Sequence, residues 1–497
     1  MRSFNSGSIG GVGRQSISAI EEYVNIVWIH MQNRGDVQYG QFFSFIINAA
    51  NYLCGMPVLY AASVVSIILT ISTRGFVFRH FRHIVHQIVN GFRQEKSTEK
   101  GLSSFSACCA ALGNTLGVGN IAGIAIALAS GGPGALFWIW IAGLLGVVIK
   151  YSEVILGSFY KESDARTGVY RGGIMYYMEK GLGKNWKWMA IMYALIYGTS
   201  NFIIEATQIN SVVGAFHGVL EFPPIIVGIL AAILIAFVLL GGIHRLGDVS
   251  NKIVPFAAIL YVGVSFIVLL VNIPQLPGVL KEVLVSAFTG SAAAGGFAGA
   301  SASMAIRYGI MRGFYSNGAA SGDVAFAHST AEVEHPVLQG MWGAVEVVVD
   351  TIVCSSTALV ILTTGVLDTG LTGTALTTAA FSAFFHNAWY GALFVGSIIA
   401  LFAFTTAMVC AYYGEVCVMY LIKNERISRH VTVIYRCLIC VSAVVGSVAS
   451  LEFLWSFTDF ALAFCMFTCL FTLFMCRKKI SKLTGEYVGT LTRDRVR

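Results

Sequence analysis

The chain has 497 residues, 56% of them hydrophobic and 11% charged, with 32 Lys+Arg against 25 Asp+Glu and a net charge of +7. Soluble domains carry about 25% charged residues, so this composition excludes a soluble globular protein and predicts an all-α polytopic membrane protein whose partner is the lipid bilayer. The basic residues fall between apolar segments and not in one polar domain, which excludes nucleic acid as a partner; the cysteines sit mostly inside apolar segments and are read as packing residues.

In chain order, residues 1–41 form a polar tail, Ser/Gly-rich at its start, without the apolar core of a secretory signal peptide. Residues 42–100 hold a short amphipathic approach, a first span at Met56–Thr73 that is long enough for the ~30 Å hydrocarbon layer, and a basic amphipathic stretch, Arg74–Phe92. Its His80, His83 and His86, with no carboxylate or Cys beside them, suit a helix lying on headgroups better than a metal site.

The second span, 102–128, contains Gly113-Asn114-Thr115-Leu116-Gly117-Val118-Gly119-Asn120. Each glycine weakens a helix interior by about 1 kcal/mol relative to alanine, so the stretch predicts a broken membrane helix. Unwound backbone at membrane depth survives only where it is buried in protein or lines a site. Its free N–H groups suit a carboxylate, and its free carbonyls suit a cation such as sodium. Gly113 and Gly117 also fit a small-xxx-small packing seam, the competing reading.

A turn at Ser130-Gly131-Gly132-Pro133-Gly134 leads into a third span, Ala135–Phe159. Further spans are expected at Trp188–Phe216, Pro223–Leu240, Val254–Val271, Val285–Ile306, Pro336–Thr364, Gly391–Ile422, Thr432–Ser450 and Phe453–Cys476, eleven in all. With the N-terminus outside and the C-terminus inside, 28 of the 32 Lys+Arg fall on the cytoplasmic side, leaving Arg2, Arg14, Arg34 and Lys281 outside. Residues 477–497 are then a basic cytoplasmic tail.

A second glycine-rich break is expected at Gly290–Gly299, inside the seventh span, 285–306. Residues 101–273 and 274–476 then form two five-span repeats, each opening on a broken helix. Five is odd, so the repeats are inverted, and paired broken helices in inverted halves mark the midplane site of a secondary transporter.

Several blocks carry a family resemblance: Gly117–Gly123, Gly131–Trp138, Lys150–Glu153, Gly172–Tyr177, Gln208–Ser211, Gly241–Arg245, Ala305–Arg307 with Arg312-Gly313, His335–Val337 with Gln339-Gly340, Asp350-Thr351, and Leu401–Thr406. In this order, over about 42–476, they resemble the alanine or glycine:cation symporter family of prokaryotic sodium-coupled amino-acid carriers. The resemblance implies a LeuT-like fold of two inverted five-helix repeats with one extra N-terminal helix, in the plasma membrane of a bacterium or archaeon. It further implies substrate carboxylate at the backbone of Gly117, Val118 and Gly119, a polar substrate contact at Gln208, a pocket cap at Phe297, and sodium at the carbonyls of Gly113 and Leu116 with Thr405 and Thr406. Asn120 would contact the ion or brace the break. Threonines in membrane helices also bond back to their own preceding turn, and Gln208 also fits a helix–helix hydrogen bond.

Three departures from the family pattern bear on function. Val118 stands where the family has Thr in GTGN. Glu205 stands where it has Asn three residues before the Gln, and an intramembrane carboxyl there suits a substrate ammonium, proton coupling or pairing with a base. The family's SNEAGLGS becomes Ser316-Asn317-Gly318-Ala319-Ala320-Ser321-Gly322-Asp323, which removes an acid at Gly318 and adds one at Asp323. Glu346, Asp350 and Glu415 are further carboxyls within spans, with no assigned role.

No GxxxxGK[ST], HExxH or strand-to-helix GxSxG motif is present, and no cytoplasmic connection exceeds about forty residues, so the sequence offers neither an enzyme nor room for an ATPase domain. The reading is a sodium-coupled symporter of a small neutral amino acid, alanine or glycine, without a cofactor. Its alternatives are a proton-coupled or glutamine-type carrier of the same fold, a channel, or a non-transporting sensor.

Overall fold

Ser103 opens the first described half of the broken span: its hydroxyl accepts the Ser106 N–H at 3.1 Å, capping the helix Ser104–Thr115. The same local chemistry starts other elements. Asn387 and Asn424 side chains accept N–H groups from the first turns of the helices Ala388–Leu421 and Glu425–Gly446, and His335 with Pro336 opens the helix Pro336–Thr363. The computed structural model describes residues 52–53, 56–94, 97–98, 100–164, 168–216, 223–289, 301–449 and 451–494. Among them the only ladder pairs Glu162 with Arg171 and Ser163 with Tyr170; the remaining elements are helices.

The helices are α1 (Met56–Ser72), α2 (Phe81–Gln94), α3 (Ser104–Thr115), α4 (Ala122–Gly131), α5 (Ala135–Phe159), α6 (Ile174–Leu182), α7 (Lys187–Phe216), α8 (Pro224–Leu239) and α9 (Gly242–Val271). After them come α10 (Leu276–Thr289), α11 (Ala302–Asn317), α12 (Val324–His328), α13 (Pro336–Thr363), α14 (Gly373–Phe385), α15 (Ala388–Leu421), α16 (Glu425–Gly446) and α17 (Leu451–Asp494). Short turns at Phe76–Arg79, Val118–Asn120, Lys184–Trp186 and Val366–Thr369 complete the described elements. Leu230, Ile233 and Phe237 on α8, Ile259 and Phe266 on α9, and Val433 and Val441 on α16 are exposed, the pattern of helices that face lipid.

Seven described helices are long and apolar enough to cross a bilayer, and the bent pair formed by α3 and the segment Val118–Gly131 makes an eighth. Helices α1 and α8 coincide with expected spans but are shorter apolar helices, and α14 was not expected, because thirteen residues are too few to read as a span. The expected seventh span divides between α10 and α11; Gly290–Gly299, with Phe297, lies outside the described residues. A second interruption is visible further on, where α11 ends at Asn317 and six buried residues, Gly318–Asp323, lead into α12.

Two series of elements run in the same order. The broken pair α3/α4 is followed by α5, α7, α8 and α9; the broken pair α11/α12 is followed by α13, α15, α16 and α17. Corresponding members pack on each other: α4 on α11, α3 on α12, α5 on α13, α7 on α15, and α8 on α16. Helix α17 continues beyond the expected span end into 477–494, where Thr484 meets the Tyr151 hydroxyl at 3.0 Å and Tyr487 meets His83 at 3.0 Å. The described cysteines are free thiols, including Cys437 and Cys440 on α16.

Candidate functional site

Unwinding at the first break re-routes three backbone groups. In a continuous helix the Gly117 N–H would bond to Gly113 O, four residues back. Here it turns to Thr115 O and to Asn120 Oδ1, each at 3.1 Å, and Val118 N–H donates across to Gln208 Oε1 on α7 at 3.1 Å. Gly113 O, released from the ladder, accepts the Thr406 hydroxyl from α15 at 3.0 Å. The chain bends by 57° at this point. Glycine is required at 117: a Cβ there would lie 2.8 Å from Thr406 Oγ1 and 3.2 Å from Gln208 Oε1.

The second break turns at Gly318, whose φ of +64° is left-handed backbone suited to glycine. Two polar clamps tie it to the first. In one, Lys150 Nζ from α5 donates to Glu346 Oε1 at 2.6 Å, to Asn317 O at 2.6 Å and to Thr115 Oγ1 at 3.1 Å. Glu346 Oε2 accepts from His328 Nε2 at 3.0 Å, while Gln339 Nε2 lies 2.7 Å from His328 Nδ1; an amide nitrogen donates, so His328 carries its proton on Nε2 and is neutral. Lys150 and Glu346 are both fully buried and thus balance one charge each. In the other clamp, Asp350 Oδ1 on α13 accepts from Asn120 Nδ2 at 2.5 Å and from Ser316 Oγ at 2.9 Å.

Between the breaks lies a small cavity of about 60 Å³. Its walls come from the first break (Asn114, Gly117, Gly119), the second (Tyr315, Gly318, Asp323), α7 (Tyr197, Ser200, Gln208), α15 (Thr406, Cys410) and α17 (Thr458, Ala461, Leu462). A buried water needs roughly 10–15 Å³ by the same kind of measure, so the space suits a solute of about four to six heavy atoms. Near Tyr315, Arg312 makes a two-point ion pair with Asp459, both contacts at 3.0 Å, joining α11 to α17.

The expected site residues divide by position. Gly117, Gly119, Gln208 and Thr406 line the cavity, and Gly113 adjoins it through Thr406. Gln208 Oε1 is held by Val118 N–H, so its amide presents Nε2 as donor. Leu116 sits at the break itself, with φ −82° and ψ 84°. Thr405 is buried beside Gly113 and bonds back to Phe402 O at 2.9 Å. The Val118 side chain is in an apolar cluster with Ile121 and Ile124, away from the cavity wall, so the missing hydroxyl is not a cavity group. Asn120 is turned to Asp350 and Gly117, bracing the break. Glu205 is fully buried but off the cavity, and neither of its oxygens has a hydrogen-bond partner among the described residues. Among the residues not foreseen for the site are Asn114, Tyr197, Tyr315 and Asp323; Asn114 bridges the breaks, donating to Asp323 Oδ2 at 3.0 Å.

The fold and sequence both have known counterparts. The solved structure of MhsT in complex with L-phenylalanine is similar, with a TM-score of 0.56 at 15% identity, over 76% of this chain and 89% of that one. An uncharacterized transporter, YflA of Bacillus subtilis, is 34% identical over 89% of this chain and 93% of its own. The sodium/alanine symporter AgcS of Methanococcus maripaludis is 34% identical over 84% of this chain and 91% of its own. The model of the sodium:alanine symporter family matches residues 40–496. A multi-pass helical chain with a solute-sized cavity between two broken helices, matched along nearly its whole length, belongs to the sodium:alanine symporter family, a family of transporters.

Proposed function

We propose that the protein carries a small neutral amino acid, alanine or glycine, into the cell with sodium by alternating access. The observation that carries this reading is the 60 Å³ cavity walled by both broken helices, with the Gly113 carbonyl and Thr406 hydroxyl at its side. The size supports alanine or glycine over glutamine, whose ten or so heavy atoms exceed the space. Substrate carboxylate is assigned to Gln208 Nε2 and the backbone around Gly117–Gly119, with the Val118 N–H held by Gln208 until substrate enters. Sodium is assigned to the carbonyls of Gly113 and Leu116 with the hydroxyls of Thr405 and Thr406, an oxygen set suited to a hard cation.

The parallel order of α3/α4–α9 and α11/α12–α17, and the packing of counterpart on counterpart, support two inverted five-helix repeats. In this reading the second repeat opens at α11, later than the boundary at 274. Helix α1 is the extra element, and with α1 the two repeats make eleven passes, N-terminus outside and C-terminus inside, in a bacterial or archaeal plasma membrane. No cofactor is required: the ion gradient drives the cycle.

Glu205 supports a second coupling reading. A carboxyl fully buried in a span, with neither oxygen partnered among the described residues, has the chemistry of a group that takes up and releases a proton. The deciding experiment is labelled-alanine uptake into proteoliposomes under a sodium, potassium or pH gradient. The sodium reading expects accumulation with sodium alone, unchanged in kind by Glu205→Gln. Accumulation driven only by a pH gradient and abolished by Glu205→Gln would replace sodium with protons. No accumulation under any gradient would overturn the carrier reading.

A further inference from the structure

The acid lost at position 318 and the acid gained at 323 meet in space. A Cβ built on Gly318 would lie 3.5 Å from Asp323 Oδ1, 3.8 Å from Lys150 Nζ and 3.8 Å from Thr115 Oγ1. The Asp323 carboxylate therefore folds back over the six-residue break to the place where a side chain at 318 would project. Its partners are neutral: Asn114 Nδ2 at 3.0 Å and Tyr197 OH at 3.3 Å donate to Oδ2, and the Ser321 hydroxyl, with one proton, lies 2.5 Å from both Oδ1 and Gly318 O.

A carboxylate offers about four lone-pair sites, so three donors leave one acceptor position. No Lys, Arg or His among the described residues comes within 4 Å of it; Lys150 is engaged by Glu346. Asp323 is 8% exposed, and it lines the cavity. Buried charges are normally paired, and the oxygen with acceptor capacity left is Oδ1, beside Gly318, which also lines the cavity. The cavity thus has an acceptor end at Asp323 and a donor end at Gln208 Nε2, the polarity of a zwitterion.

We propose that Asp323 is the specificity-determining residue that receives the ammonium group of the transported solute. This rests on the carrier reading above and adds the recognition of the cationic end. It makes the carrier selective for primary ammonium compounds over acids of the same shape.

The test is competition against labelled alanine on the full-length protein in lipid nanodiscs, with unlabelled alanine, propionate (alanine without its amino group), ethylamine and ethanol. In the wild type, alanine should compete far better than propionate, and ethylammonium about tenfold or more better than ethanol. Asp323→Asn should weaken alanine by about 10- to 100-fold, the loss of one charge-assisted hydrogen bond, while leaving propionate unchanged.

An Asp323→Asn variant that keeps the wild-type ratio of alanine to propionate would overturn the assignment, even if its thermal stability falls, because a merely structural aspartate does not read the amino group. A variant that shifts only the sodium concentration needed for binding would overturn it too. Should Asp323→Asn fail to fold, the wild-type comparison of ethylammonium with ethanol decides alone, and equal competition refutes the proposal. A wild type that binds neither alanine nor glycine would instead sink the carrier reading and, with it, this ligand.

Discussion

At the residue scale, the two threonines of α15 differ in what they touch. Thr406 reaches across to Gly113 O, whereas Thr405 bonds to Phe402 O in its own helix. Thr406→Val is therefore expected to raise the sodium concentration for half-maximal uptake by about tenfold, and Thr405→Val by less; a sodium titration of alanine uptake measures both. Asn120 holds the first break shut on itself through Gly117 N–H and ties it to Asp350. Asn120→Ala removes one of two partners from the Gly117 N–H and one of two from Asp350 Oδ1, and should destabilise the protein by about 1–2 kcal/mol, read as a lower thermal unfolding temperature in detergent. The glycines at 113, 117 and 119 made this break legible in the sequence, because their helix-weakening effect is local. That Asn120 braces the break and does not face the cavity depends on Asp350, 230 residues away, which no local pattern encodes.

At the scale of elements, the break at 318–323 was not read from the sequence. Gly318-Ala319-Ala320-Ser321-Gly322 mixes good helix formers with two glycines. What marks it as an interruption is burial together with the left-handed turn at Gly318, both properties of the folded chain; Gly290–Gly299 lies outside the described residues. Charge counted along the sequence also leaves out where each side chain ends up. Lys150 and Arg312 add to the cytoplasmic tally when counted in sequence, yet both are buried in ion pairs, Lys150 with Glu346 and Arg312 with Asp459. Removing one partner of a dry pair strands the other. Lys150→Met should cost about 3–5 kcal/mol, and Lys150→Met with Glu346→Met should recover part of it, because two uncharged side chains avoid the stranded carboxylate. Denaturation curves of the single and double variants check this.

At the scale of the molecule, packing separates two groups of helices. Helices α4, α5, α11 and α13 pack among themselves, and α7, α8, α15 and α16 pack among themselves, with the cavity where the groups meet. If alternating access is the motion of one group against the other, a bond inside either group should leave transport intact. Gly198 on α7 provides the site: a Cβ there would lie 3.4 Å from Cys417 Cβ on α15, close to the usual spacing of a disulfide. Oxidised Gly198→Cys is expected to retain uptake within about twofold of its reduced form; loss of uptake on oxidation, reversed by reductant, would mean that α7 and α15 slide on each other. The membrane class and most of the spans were legible from hydropathy and spacing, because those signals are carried by each segment alone. The pairing of α5 with α13 and of α7 with α15 joins segments far apart in sequence and is visible only in the fold.

One ammonium group ties the two breaks together. Lys150 Nζ holds Thr115, the last residue of α3, and the carbonyl of Asn317, the last residue of α11. The ends of the two half-helices thus hang on a single peg on α5, and the loss of that one charge would untie both at once.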